Sequence, residues 1–143
     1  MGTVKAVCTS AIKGIQKEEV PSVELRPEWG IEDDAHAGPW HRQVSLLSFE
    51  RIQEFNERGA NVGHGAFGEN LIVEGFDLKS LPVGTRFRSG DVLLELTQIG
   101  KECHAHCAIY HKMGDCIMPR EGVFCKVLEG GRIAPGDPID IVA

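Results

Sequence analysis

Positive charge is in short supply. Fifteen Lys and Arg stand against twenty-one Asp and Glu, a formal net charge of −6. The deficit runs through both halves: residues 1–72 carry 7 basic and 11 acidic side chains, residues 73–143 carry 8 and 10. Nucleic acid and anionic membrane surfaces both reward basic side chains, so neither is an expected partner. Long apolar runs are missing too, and no stretch approaches the roughly 20 residues of a membrane-spanning helix. The first fourteen residues are broken by Lys5, Ser10 and Lys13 and lack the apolar centre of a secretory leader. Ala6 stands where an N-myristoylation signal needs Ser or Thr. A cytoplasmic protein is expected.

A complete set of disulfides is excluded by count, because five cysteines (Cys8, Cys103, Cys107, Cys116 and Cys125) cannot all pair within one chain. In a reducing compartment, clustered cysteines bind metal or react more often than they crosslink. Several catalytic signatures are absent: there is no Gly-x-Ser-x-Gly elbow, no His-Glu-x-x-His and no P-loop.

The 143 residues suit a single domain, 1–143, with no compositional break or linker. Folding a chain of this size removes about 68% of its accessible surface from water, enough for a core without staples. Apolar residues make up 42% and charged residues 25%, an ordinary globular balance. Short apolar runs separated by Gly, Pro and Asp predict strands at residues 3–9, 20–25, 43–47, 70–73, 85–88, 92–97, 123–128 and 139–142. The steps Gly90-Asp91 and Gly136-Asp137 read as hairpin chemistry. One helix is predicted after Ser48: Phe49, Ile52 and Phe55 share a face, Glu54 precedes Arg58 by four, and Gly59 suits the C′ position. A shorter helix is expected around residues 104–113. The fold class is therefore mainly β with one or two short helices, either a closed or partly closed β-barrel or a sandwich.

Three constellations could carry chemistry. The densest runs Lys101-Glu102-Cys103-His104-Ala105-His106-Cys107 and continues to His111 and Cys116, placing six Cys or His within residues 103–116. Thiolate and imidazole together suit zinc, copper(I) or a molybdenum–sulfur centre. Lys101, His104 and His106 alternatively favour a reactive thiolate at Cys103. Cys8 and Cys125, each among apolar neighbours, read as small core residues. The second constellation, residues 33–43, brings His36, His41 and Arg42 to one loop, where Arg42 could bind phosphate. Asp33, His36 and His41 could instead hold a metal, and a plain polar loop is the commoner outcome. The third is Gly63-His64-Gly65-Ala66-Phe67-Gly68-Glu69-Asn70. Its glycines permit close approach of backbone to a ligand or, equally, a tight helix-to-strand connection.

Taken in order, these stretches resemble the MOSC domain, the C-terminal domain of molybdenum cofactor sulfurases, which also occurs as small stand-alone bacterial proteins. The resemblance rests on GIEDDAHAG (30–38), HRQVSLL (41–47), GAFGENLIVEG (65–75), LPVGTRFRSG (81–90), VLLELTQIGKEC (92–103) and GVFCKVLEGGRIAPGD (122–137). It implies a β-barrel and a role in handling sulfur for molybdenum or other metal–sulfur centres. The family's characteristic cysteine falls on Cys103. Two departures stand out: Glu102 replaces a common Pro, and Cys107 and Cys116 follow closely.

The resemblance implies a persulfide carrier, or a thiolate ligand of the molybdenum cofactor, at Cys103, with Lys101 and His104 assisting. His36, His41 and Arg42 would line a pocket for a phosphorylated pterin, together with Gly65, Phe67, Gly68 and Asn70. These residues include no pyridoxal-phosphate-dependent desulfurase domain, so no bound PLP is expected. A sulfur donor such as a cysteine desulfurase, and a molybdoenzyme or cofactor-biosynthesis client, would be the partners. The alternative is a zinc-binding module using Cys103, Cys107, Cys116 and His106, or a docking module without sulfur chemistry.

Overall fold

In the computed structural model, residues 2–11, 17–32, 34–35, 37–40, 42–59, 63–65, 67, 69–100 and 122–142 are described. Strand β1 (Gly2–Thr9) is followed by the short β2 (Glu18–Glu19), β3 (Val23–Arg26) and β4 (Gly30–Ile31). Then come β5 (Val44–Ser48), helix α1 (Phe49–Glu57), β6 (Leu71–Glu74) and a 3-10 turn at Leu78–Ser80. Strands β7 (Arg86–Ser89), β8 (Val92–Ile99), β9 (Val123–Glu129), β10 (Gly131–Ile133) and β11 (Pro138–Val142) complete the chain.

Seven strands form a closed barrel in the order β11-β7-β8-β9-β5-β6-β1, and β1 returns to β11 through Gly2↔Ile139 and Thr3↔Pro138. Its pairings are antiparallel except β5–β6, where Leu46 faces Leu71 and Leu47 faces Ile72. A parallel pair needs a crossover, and α1 with residues 58–70 provides it. A small sheet, β10-β3-β4, adds Val23, Leu25, Ile31 and Ile133 to the barrel core.

Side chains bury on both faces of the β1-β6-β5-β9 wall. Val4, Val7, Leu71, Val73, Val44, Leu46, Val123 and Cys125 fill the interior. Ala6, Cys8, Ile72, Leu47 and Phe124 face outward into a second cluster with Ile52, Phe55 and Phe67. Simple alternation would put Val4, Ala6 and Cys8 on one face. A bulge between Val4 and Ala6 moves Ala6 and Cys8 to the outer side, since an extra residue reverses the pleat. Strand β5 (VSLLS) is buried at every position, which explains why its sequence shows no alternation.

Helix α1 follows the expected pattern with one difference. Ile52 and Phe55 are buried and Phe49 packs at the margin of the outer cluster. The Ser48 hydroxyl, though at the N-cap position, donates to the Phe76 carbonyl (2.9 Å) and caps nothing. Glu50 accepts from the Gly75 amide (3.0 Å) and Arg51 pairs with Glu54 (2.9 Å). Of the two Gly-Asp steps, Gly90-Asp91 makes a hairpin between β7 and β8, with Gly90 at φ 59°. Gly136-Asp137 instead carries the chain from the small sheet, where β10 pairs with β3, to the barrel, where β11 pairs with β7 and β1. The strand expected at 20–25 begins later, at Val23. The helix expected around residues 104–113 lies outside the described residues.

Phe55 is 1% exposed, and its ring lies 5.8 Å from that of Phe67. Phe55→Ala is expected to cost about 3–5 kcal/mol through lost burial and the cavity it leaves, read as a lowered urea midpoint with an unchanged slope.

Candidate functional site

The outer face of the wall turns polar where the cover of α1 ends. Asn70, immediately before β6, is fully buried. Its Oδ1 accepts the Ser45 amide (3.0 Å) and hydroxyl (3.2 Å), and its Nδ2 donates to the Cys8 carbonyl (3.1 Å). The main chain repeats the link: Cys8 N–H donates to Asn70 C=O (2.7 Å) and Asn70 N–H to Ser45 C=O (3.0 Å). The side chain expected in a ligand pocket thus clamps β1 and β5 to the start of β6.

Gly65 has a similar explanation. Its φ is 86°, and a Cβ there would stand 2.1 Å from the Lys17 carbonyl oxygen. Only glycine tolerates both conditions. The Lys17 amide donates to Gly65 C=O (2.8 Å), so the close approach is to the protein's own backbone. Phe67 belongs to the outer cluster.

Glu69 and Lys17 were not singled out in the sequence. Glu69 is fully buried, and its Oε1 accepts the Phe67 amide (3.0 Å). Its Oε2 has no hydrogen-bond partner among the described residues. Burial pushes its carboxyl from the ordinary 4.5 up to about 7, against the opposing pull of loop amides and of Lys17. The Lys17 ammonium lies 2.8 Å from Asp34 Oδ1, with side chains 2% and 0% exposed. Asp34 also accepts the Ser10 amide (3.1 Å). A Lys in an ordinary Gln-Lys-Glu-Glu run carries no mark of such burial. Asp34 lay within a noted loop but read as one acid among several.

Two cysteines are settled by their surroundings. Burial, with the nearby charges of Glu69 and Glu19, pushes the Cys8 thiol up to about 12, against the smaller opposing effect of Lys17. Burial pushes Cys125 higher still, and Glu95 adds to the effect. Both stay protonated at neutral pH and are core residues, not nucleophiles.

The Arg42 guanidinium lies over the rings of Trp40 (4.8 Å) and Phe124 (5.6 Å), and its Nε is buried without a hydrogen-bond partner among the described residues. Gln43, beside it, is held inward by accepting the Val127 amide (2.9 Å). Phe124 stands two residues after Gly122, whose carbonyl accepts the Gly100 amide (2.6 Å). That bond closes the base of residues 101–121 and sets the segment's return point beside the aromatic partner of Arg42.

The structure therefore describes Arg42, Gly65, Phe67 and Asn70 of the expected site. His36, His41, Gly68, Lys101, Cys103, His104, His106, Cys107 and Cys116 lie outside the described residues. Among the described residues, no group of three or more His, Cys, Asp or Glu is arranged to hold a metal. Also among them, no helix is long and apolar enough to cross a membrane.

A closed seven-stranded barrel with one helical crossover and a basic, aromatic-flanked position next to a long β8–β9 excursion defines the architecture. Residues 33–140 match the family model of the MOSC domain, and the chain belongs to that family. Among solved structures it resembles YuaD from Bacillus subtilis, with a TM-score of 0.82 at 19% identity over 99% of this chain and 96% of that one. It also resembles YiiM from Geobacillus stearothermophilus (TM-score 0.75, 23% identity, 100% of this chain and 76% of that one) and YiiM from Escherichia coli (0.70, 22%, 100% and 70%). These likenesses are of fold. In sequence the chain is 25% identical to the uncharacterized protein YflK of Bacillus subtilis (strain 168) over 91% of its own length. It spans 63% of the length of that curated relative.

Asn70→Ala leaves a buried amide and a buried carbonyl without their side-chain partner. It is expected to cost about 2–5 kcal/mol, measured by urea unfolding. Lys17→Met strands a buried carboxylate and is expected to cost about 3–5 kcal/mol, whereas Lys17→Met with Asp34→Leu recovers most of the loss. A double-mutant cycle in thermal or urea unfolding checks this pair.

Proposed function

We propose that this protein handles sulfur for a molybdenum or other metal–sulfur centre, with Cys103 as the atom-carrying residue. The observation that carries the reading is the MOSC match across residues 33–140, a span that includes the Cys103 segment and Arg42. Arg42 supports it: a guanidinium with an unpartnered Nε, held between two aromatic rings, suits the phosphate of a pterin cofactor. His36 and His41, neighbours of Arg42 in sequence, would add polar groups for the same ligand. Gly65, Phe67 and Asn70 serve it by fixing the backbone before β6, and Gly68 would belong to the same run.

In the carrier step, the Cys103 thiolate attacks the terminal sulfur of a donor persulfide. One S–S bond forms on Cys103 and the donor's S–S bond breaks. The donor cysteine leaves as thiolate and the proton stays on the transferred sulfur, so there is no net redox change. Lys101, His104 and His106 favour the anionic sulfur. The donor is a protein persulfide of the kind a cysteine desulfurase makes, and the recipient is a molybdoenzyme or its cofactor-assembly machinery. When bound, the molybdenum cofactor would accept sulfur or take Cys103 as a thiolate ligand.

Incubation with a cysteine desulfurase and cysteine, followed by intact-mass and peptide mass spectrometry, tests the assignment. One added sulfur atom is expected on Cys103, lost in Cys103→Ala and retained in Cys107→Ala. Equal loading of Cys103→Ala, with unchanged retention of added cofactor, overturns it. One zinc per purified chain, with unfolding on chelation, would assign Cys103, Cys107, Cys116 and His106 to a zinc site instead.

A further inference from the structure

The buried ion pair of Lys17 and Asp34 joins the residues that lead to Arg42 to the β1–β2 end of the wall. Lys17 immediately precedes β2, whose Glu18 and Glu19 pair with Thr9 and Cys8 of β1. Its own amide donates to Gly65 C=O (2.8 Å). Its main chain is thus fixed on both sides of the point from which the side chain reaches Asp34. The ammonium lies 2.8 Å from Asp34 Oδ1, with both side chains almost wholly buried. The same oxygen accepts the Ser10 amide (3.1 Å), and the Ala35 amide donates back to Ser10 C=O (2.7 Å). The link continues towards Arg42. Ala37 N–H donates to Asp34 C=O (3.1 Å), Gly38 N–H to Trp29 C=O (2.8 Å) and Trp40 N–H to Gly38 C=O (2.9 Å). A Cβ at Gly38 would stand 3.6 Å from Cδ1 of Trp40, so that ring lies against this backbone. The Arg42 guanidinium in turn lies 4.8 Å from the ring. Its other ring, Phe124, is held within β9, whereas Trp40 belongs to no helix or strand. An apolar pair of similar volume stabilises a fold as well as a buried ion pair does. What the charges add is direction, because ammonium and amide converge on one carboxyl oxygen.

We propose that Lys17 is a positioning residue for Arg42: through Asp34 it ties the approach to Arg42 to the end of β1, and so sets the Trp40 ring on which the guanidinium lies. The inference rests on Arg42 as the anion-binding group of the reading above. Lys17 acts only through Asp34 and Trp40 and touches no ligand. Without the link, Trp40 and Arg42 lose their fixed relation, and the guanidinium loses its aim at an anion even in a chain of undiminished stability.

The test uses Trp40 as its own reporter. The chain has two tryptophans, so a Trp29→Phe parent leaves Trp40 alone. In that parent, Arg42→Met and the pair Lys17→Met with Asp34→Leu are compared by Trp40 emission and acrylamide quenching. The comparison is made first without ligand, then in a titration with inorganic phosphate at constant ionic strength, and urea unfolding reports the stability of each protein. The double variant is expected to keep most of the parent's stability. Its ligand-free Trp40 should nevertheless be more accessible to acrylamide, and it should bind phosphate roughly tenfold or more weakly, as Arg42→Met does. A pair that only stabilised the fold would leave both readings at the parent's values. Unchanged Trp40 accessibility in the folded double variant, or changed accessibility with the parent's affinity for phosphate, overturns the proposal. If the parent itself binds no phosphate, the anion reading of Arg42 fails and the ligand-free comparison alone decides the role of Lys17. Greater Trp40 accessibility then upholds it and equal accessibility overturns it. Should the double variant not fold, Lys17→Met held folded by trimethylamine N-oxide is compared with the parent in the same solution.

Discussion

Four adjacent strands bury side chains on both faces, and the rest of the molecule is arranged around that constraint. The inner faces of β1, β6, β5 and β9 fill a closed barrel, and their outer faces present Ala6, Cys8, Ile72, Leu47 and Phe124. Neither face can be left to water. The parallel pairing of β5 with β6 answers this directly, because its crossover lays α1 and the following loop over the outer side. Register is strictly set as well, since a one-residue slip would exchange the two apolar sets. The bulge in β1 makes that exchange for Ala6 and Cys8, and the β8–β9 ladder carries two further register shifts.

The polar residues beside this cover follow from main-chain needs. Where strands end and loops begin under other atoms, buried N–H and C=O groups require partners. Asn70 serves Ser45 and Cys8, Asp34 serves Ser10, and Glu69 serves Phe67. Placing carboxylates there brings charge, and Lys17 offsets only that of Asp34. Among the described residues four buried polar atoms keep unused capacity: Glu50 Oε1 and Arg51 Nε on α1, and, away from the helix, Nε of Arg42 and Oε2 of Glu69. The Arg42 guanidinium lies over the rings of Trp40 and Phe124, and the Glu69 carboxyl is buried just before β6.

Much of the barrel was legible in the sequence, because strands bounded by Gly, Pro and Asp leave a clear local mark. The runs at 92–97 and 123–128 anticipate β8 and β9 to within two residues, and the Ile52–Phe55 spacing anticipates α1. The short strands β2, β4 and β10 left too little pattern, being two or three residues long and defined by their partners. The roles within the site were harder to read. Gly65 and Asn70 are typical of residues that meet ligands, yet both meet backbone across the fold, at Lys17 and at Ser45 and Cys8. Lys17 and Asp34 are seventeen residues apart, so nothing local ties them. Of the rings beneath Arg42, Trp40 is two residues away in sequence, whereas Phe124 is brought there only by the fold.

The bond between Gly100 and Gly122 has a consequence for how such a protein can change over time. It pins both ends of residues 101–121 to adjacent strands already zipped from Leu93↔Glu129 to Ile99↔Val123. With the ends so fixed, lengthening the connection costs only logarithmically in closure entropy. The barrel's register therefore makes few demands on what is carried between them. The cysteine-bearing segment is in that sense a cassette. Its residues and their spacing are free to change while the seven strands keep the same pairing.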